Sequence, residues 1–163
     1  MRHFALLALV VLLAACATAS KSQSRMPFPE SEYQALAKTG TGIVKGRAFV
    51  ELEGGLIKTA VGNEVILNPV TSYSLEWYEK AYLARITMVE ADPRLSKYIL
   101  TQVVDADGRF TFRNVPPGDY FVTTRIDWEA SAGGQGSGQR RGGTITKRLT
   151  VKDGHETEVI ITP

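Results

Sequence analysis

Few residues in this chain have the types and spacing that chemistry needs. Among 163 residues there are two histidines, His3 and His155, and one cysteine, Cys16. His3 precedes an N-terminal apolar run, and His155 follows Asp153-Gly154, a two-residue hairpin signal. His155 and Cys16 alone cannot supply the ligands of a usual His/Cys zinc centre. A serine triad would have to take His155 as its base, and no nucleophile-elbow sequence accompanies it. Asp105 and Asp107 lie two residues apart, as do Asp127 and Glu129. Paired carboxylates perform acid–base work, yet these stand at a turn and a strand end, where Asp serves backbone hydrogen bonding. Two carboxylates at the Asp105/Asp107 turn are too few for calcium. Residues 130–143, ASAGGQGSGQRRGG, lack the Lys-Ser/Thr pair and following helix of a phosphate-cradling loop, so they read as a hairpin tip. The expectation is a non-enzymatic chain without metal or cofactor.

The elements that would position any site are mostly strands. Val44, Gly46, Ala48 and Val50 alternate with Lys45, Arg47 and Glu51 over Ile43 to Glu53, the two-residue period of a half-buried strand. Leu56 to Val61 reads as a short edge segment, and Glu64 to Asn68 as a strand stopped by Pro69. Lys97 to Val104 is β-branched and aromatic-rich and feeds the Asp107-Gly108 turn. Phe110 and Phe112 share one face beyond it. Pro116, Pro117 and Gly118 then force a hairpin or a sheet-crossing corner, after which Tyr120, Val122, Thr124, Ile126 and Trp128 share a face. Thr144 to Val151 and His155 to Thr162 form a last hairpin with Ile145, Leu149, Val151, Val159 and Ile161 inward. These runs make about seven strands with frequent turns, the pattern of an all-β sandwich.

The stretch from Asp105 to Tyr120 follows the pattern D-x-D-G-x-F-x-F-x-x-V-P-P-G-x-Y, with Asp107, Gly108, Phe110, Phe112, Val115, Pro117, Gly118 and Tyr120 in register. It resembles the carboxypeptidase regulatory-like domain. That resemblance implies a seven-stranded, Greek-key, prealbumin-like β-sandwich over 42–163 and leaves activity open. Related sandwiches carry a Lys-Asn isopeptide crosslink assisted by a Glu shortly after the conserved Tyr. Here Lys45 has a plausible place, but Val122, Thr123 and Thr124 stand where that Glu would fall, and Thr162-Pro163 ends the last strand without Asn.

The N-terminus carries a second resemblance. Phe4 to Ala15 is an apolar run behind Arg2, too short for a mature membrane span. It closes on Leu13-Ala14-Ala15-Cys16, which resembles the lipobox of bacterial lipoproteins. The resemblance implies that residues 1–15 form a signal peptide and that Cys16 carries acyl chains through a thioether. Each buried CH₂ contributes roughly 0.8 kcal/mol, enough in sum to hold the protein on a membrane without a spanning helix. Ala17 after the cysteine, rather than Asp, is similar to lipoproteins sorted to the outer membrane of a Gram-negative envelope. Residues 16–41 read as a lipidated, flexible tether, with a helical turn or two at Glu30 to Ala37.

Nineteen basic residues against seventeen acidic leave a formal charge of +2, which gives no reason to expect nucleic acid. The irregular parts remain as candidate binding elements. Ser74 to Ile86 repeats apolar residues at helical spacing and predicts a helix of about three turns within an insertion at about 70–96. Tyr73, Trp77, Tyr78 and Tyr82 in that insertion, with Trp128, Arg140 and Arg141 at the glycine-rich end, are the types that dominate binding energy. The expectation is that they converge on one end of the sandwich. The leading reading is a structural or protein-interaction module of the envelope, and the alternative is a small-ligand or glycan-binding module. Mass spectrometry of the membrane fraction is expected to find acyl groups on Cys16; a mature chain with an unmodified Cys16 sulfur would overturn the lipoprotein reading.

Overall fold

A computed structural model describes residues 22–130 and 139–163, with the backbone alone considered at 129, 130, 139 and 140. Cys16, the signal segment, most of the glycine-rich tip and the side chain of Arg140 lie outside the described residues. Among the described residues eight strands build two sheets: β1 (Gly42–Glu51), β2 (Ile57–Thr59), β3 (Glu64–Pro69), β4 (Leu100–Val103), β5 (Arg109–Val115), β6 (Gly118–Ala130), β7 (Gln139–Val151) and β8 (Glu156–Ile161). The strand beyond the expected seven is β2, the short edge segment.

In the first sheet β1 pairs antiparallel with β5, parallel with β8 and, over Phe49 to Glu51, antiparallel with β2. The second sheet runs β4-β3-β6-β7 with every neighbour antiparallel. The β6–β7 ladder is continuous from Gly118↔Val151 to Ala130↔Gln139. The two-residue alternation gives each sheet one apolar face, and burying both faces requires stacking them. Val44, Ala48, Phe112 and Ile161 of the first sheet and Val65, Leu67, Val122 and Ile126 of the second are almost fully buried between them. Each such Val, Leu, Ile or Phe side chain contributes about 1.5–3 kcal/mol.

The Pro116-Pro117 step is a sheet-crossing corner, since β5 belongs to the first sheet and β6 to the second. Asn114, with φ 55°, and Gly118, with φ 153°, turn the backbone on either side of it. The Tyr120 hydroxyl reaches back to the Pro116 carbonyl at 2.9 Å and pins the turn. Asp105 serves the preceding turn, its Oδ1 accepting the amides of Asp107 at 2.9 Å and Arg109 at 2.7 Å.

The expected last hairpin does not form, because β7 lies in the second sheet while β8 pairs with β1 in the first. β7 begins at Gln139, within the run read as a hairpin tip, and β4 begins only at Leu100, after a 3-10 helix at Pro93–Lys97. Two further segments depart from the sequence expectation. The insertion helix begins earlier than Ser74: α2 spans Ser72–Trp77 and continues as a π-helical turn over Tyr78–Leu83. Thr71 decides the start, because its hydroxyl accepts the Ser74 amide at 3.3 Å while its own amide donates to Ser74 Oγ at 2.9 Å. The second departure is the tether. From residue 22 onward it lies against the domain as a strap, with α1 at Glu30–Ala35. Gln23 bridges to Met88, the Met26 amide donates to Glu76 at 2.9 Å, and Tyr33 is wholly buried. Phe28 and Tyr33, stacked 4.6 Å apart, supply the apolar area that a free tether would leave wet.

Gly46 allows the Phe110 ring to cross β1, since a Cβ there would lie within 2.2 Å of Phe110 Cζ. Gly46→Ala is expected to cost about 1–3 kcal/mol by overpacking, whereas Gly143→Ala, which meets open space at ordinary φ, should stay within about 0.5 kcal/mol of wild type. Gly118→Val should join the destabilised class, because its φ disfavours a side chain. Equal melting temperatures for the three variants would contradict this account.

Candidate functional site

The insertion lies on the outer face of the second sheet. Phe121 points there, opposite to its neighbours Tyr120 and Val122, and is nonetheless 1% exposed. Its cover is Tyr78, stacked at 4.7 Å with 18° between the planes. Tyr82 stacks on Tyr78 at 5.4 Å, and Trp77 on Tyr82 at 6.1 Å. These rings form a series leading from the sheet to Trp77, and Trp77, Tyr78 and Tyr82 all remain partly exposed. The Arg85 guanidinium stands 5.4 Å from the centre of the Tyr82 ring. Stacked pairs of this kind add about 0.5–1.5 kcal/mol beyond their buried area.

Hydrogen bonds fix the series against the sheet. The Thr146 amide of β7, the last strand in the sheet order, donates to the Tyr82 hydroxyl at 3.2 Å. A backbone donor at a sheet edge thereby finds a partner other than water. Beside it the Thr123 and Thr146 hydroxyls meet at 3.0 Å across the β6–β7 ladder. The arrangement is a rigid aromatic surface with hydroxyl and guanidinium groups at its margin. It can stack against a flat apolar face and hydrogen-bond the rim of whatever carries that face.

The expected site residues therefore divide. Trp77, Tyr78 and Tyr82 come together. Tyr73 is buried in a different cluster, edge-on to Phe28 at 5.4 Å, with the Arg25 guanidinium 4.2 Å from its ring centre. Its hydroxyl accepts the Asp92 amide at 2.8 Å. Trp128 packs against the core cluster on the inner face of β6, because it stands an odd offset of seven positions beyond Phe121. Arg141, its cross-strand partner, is exposed near the hairpin tip. Trp128 and Arg141 are thus placed apart from the aromatic series rather than at one shared end with it.

Sequence reasoning missed Phe121, Phe28 and Tyr33. The signal for Phe121 was its place: a large apolar residue at an outward strand position implies something covering that face. His155, at an exposed turn, has Nδ1 2.7 Å from the Asp153 carbonyl oxygen. Among the described residues no group of three or more His, Cys, Asp and Glu side chains is gathered to hold a metal ion. No described helix is long and apolar enough to cross a membrane.

No protein-family model and no curated protein matches the chain. A solved structure does match: that of a candidate carbohydrate binding protein from Pseudomonas aeruginosa, with TM-score 0.75 and 30% sequence identity. The alignment covers 85% of this chain and 99% of the Pseudomonas chain.

The strap that backs the insertion carries a pH dependence. Glu32 accepts the Ser72 hydroxyl at 2.6 Å and the Ser72 amide at 2.8 Å. The hydroxyl bond, then the amide bond, hold its carboxyl below the ordinary value of 4.5. A carboxylate whose pKa is lowered by docking favours the docked strap above the undocked value and loses that contribution as pH falls through the docked one. The Ser72 amide resonance is therefore expected to titrate with a midpoint below 4.5 and to stop titrating in Glu32→Gln. A midpoint at or above 4.5 would refute the coupling.

Proposed function

The chain belongs to the same protein family as the Pseudomonas protein, and from that premise we propose that it is a glycan-binding module of the bacterial envelope, held to a membrane through Cys16. The observation that carries the reading is the partly exposed stack of Trp77, Tyr82 and Tyr78, backed by Phe121. A sugar ring presents an apolar face of C–H groups, which lies well on a flat aromatic ring, and a rim of hydroxyls, which seek polar neighbours. Trp77 offers such a ring, and the exposed Arg85 guanidinium supplies a polar group beside neighbouring Tyr82. The protein acts in this reading by binding and not by catalysis. The Asp105 to Tyr120 pattern supports placing it among carboxypeptidase regulatory-like sandwiches, and the Leu13 to Cys16 ending supports lipid attachment, most consistently at the outer membrane.

A protein-interaction role has its own support. β4 ends the order of the second sheet, its Thr101 to Val103 are exposed, and Val103 lies next to the equally open Val61 through the Gly62–Val104 and Val104–Asn63 backbone bonds. Such an edge can receive a partner's strand. Glycan-array screening of the mature chain separates the two readings. Saturable glycan binding that Trp77→Ala weakens by about 2 kcal/mol or more, with melting temperature kept, is the expected result. Absence of binding to any glycan, or binding indifferent to Trp77, would move function to the β4 edge.

A further inference from the structure

A concavity lies where the strap crosses the corner between the sheets. It has a volume of about 170 Å³. Buried Tyr33, Pro69 and Tyr120 contribute to it, Tyr98 forms a partly exposed wall, and Lys38 and Lys97 stand exposed around it. Both lysines lack an ion-pair partner among the described residues, whereas neighbouring Arg94 is engaged by Glu30 and Asp92. The Lys38 ammonium stands 5.8 Å from the centre of the Tyr98 ring. The Tyr33 and Tyr120 hydroxyls are committed, to Thr71 and to the Pro116 carbonyl, while that of Tyr98 makes no hydrogen bond to a described residue.

The chemistry of this lining is one-sided. It contains aromatic and proline surface, a free phenol and two ammonium groups, and no carboxylate or side-chain amide. The hydroxyls of a neutral sugar both donate and accept, so they can use the ammonium groups but find few side-chain acceptors and no charge complement there. An anion brings acceptors and finds two cations. The volume is below the roughly 300–1,000 Å³ of pockets for drug-sized molecules, which suits a single ring.

We propose that this cleft binds one acidic sugar residue of the uronic acid type, its ring against Tyr98 and its carboxylate between Lys38 and Lys97. The site is separate from the Trp77 surface and extends the glycan reading to a charged class of glycan. It also assigns a use to the strap, since Tyr33 and Lys38 enter the cleft only while the strap is docked.

The test is an NMR titration of the mature full chain with galacturonic acid, galactose and cyclohexanecarboxylate as separate probes. Galacturonic acid is expected to shift the Tyr98 and Leu100 amides saturably and to bind at least tenfold more tightly than either of the others. Lys38→Ala/Lys97→Ala should weaken it at least tenfold, and Lys38→Arg/Lys97→Arg should retain it. Trp77→Ala should leave it unchanged, so that failure at the aromatic surface and failure at the cleft are read separately. Equal binding of galactose would overturn the anionic assignment, and equal binding of cyclohexanecarboxylate would overturn the sugar assignment. Lack of saturable binding, or an unaffected double alanine variant, would overturn the site itself.

Discussion

The hydrogen bond from the Tyr120 hydroxyl to the Pro116 carbonyl holds the point on which the rest of the structure depends. There the chain leaves the first sheet for the second, one of four connections between the sheets among the described strands, and a fixed geometry at this corner helps to hold the two apolar faces opposed. Proline on one side removes amides that would seek ladder partners, and Gly118 on the other accepts a φ that side chains resist. Burial raises the Tyr120 pKa, as expected for a phenol kept from water. The same ring contributes to the cleft beneath the strap, so the device that joins the sheets also shapes a candidate ligand surface.

From that corner a line of contacts runs outward to the aromatic series. Tyr33 of the strap accepts the Thr71 hydroxyl at 3.0 Å, and Thr71 is the residue that caps α2. The cap fixes the first turn of the helix, and the helix carries Trp77 and Tyr78 over Phe121. Packing of Phe28, Tyr33, Tyr73 and Tyr98, each ring within 6.3 Å of another, stiffens the base of this line. Strap and insertion thus support each other, and residues that look like linker in the sequence help to orient the helix that presents Trp77.

Exposed ion pairs contribute little to this architecture. Lys45 with Glu156 at 2.6 Å and Arg148 with Asp119 at 2.9 Å are solvated, and such pairs are worth about 0–1 kcal/mol. The charges that carry information are those left out of pairs. Lys38 and Lys97 have no ion-pair partner among the described residues, and they stand beside the aromatic surface of Tyr98.

The sequence by itself determined most of the strands and the inward faces of β1, β5 and β6, because period-two alternation is a local property that burial reads directly. Val44, Ala48 and Val50 on β1 and Tyr120, Val122 and Ile126 on β6 face inward as their spacing predicts. Turn chemistry at Asp105 to Gly108 and Pro116 to Gly118 was legible for the same reason. Membership of a strand in one sheet or the other, the parallel β1–β8 pairing, and the docking of the strap depend on contacts between residues far apart in the chain, which no local pattern encodes. The candidate site shows the same division. Trp77, Tyr78 and Tyr82 were identifiable from residue type and spacing. Tertiary structure alone decided that Phe121 lies beneath them, that Trp128 turns to the opposite face of its strand, and that Tyr73 belongs with the strap.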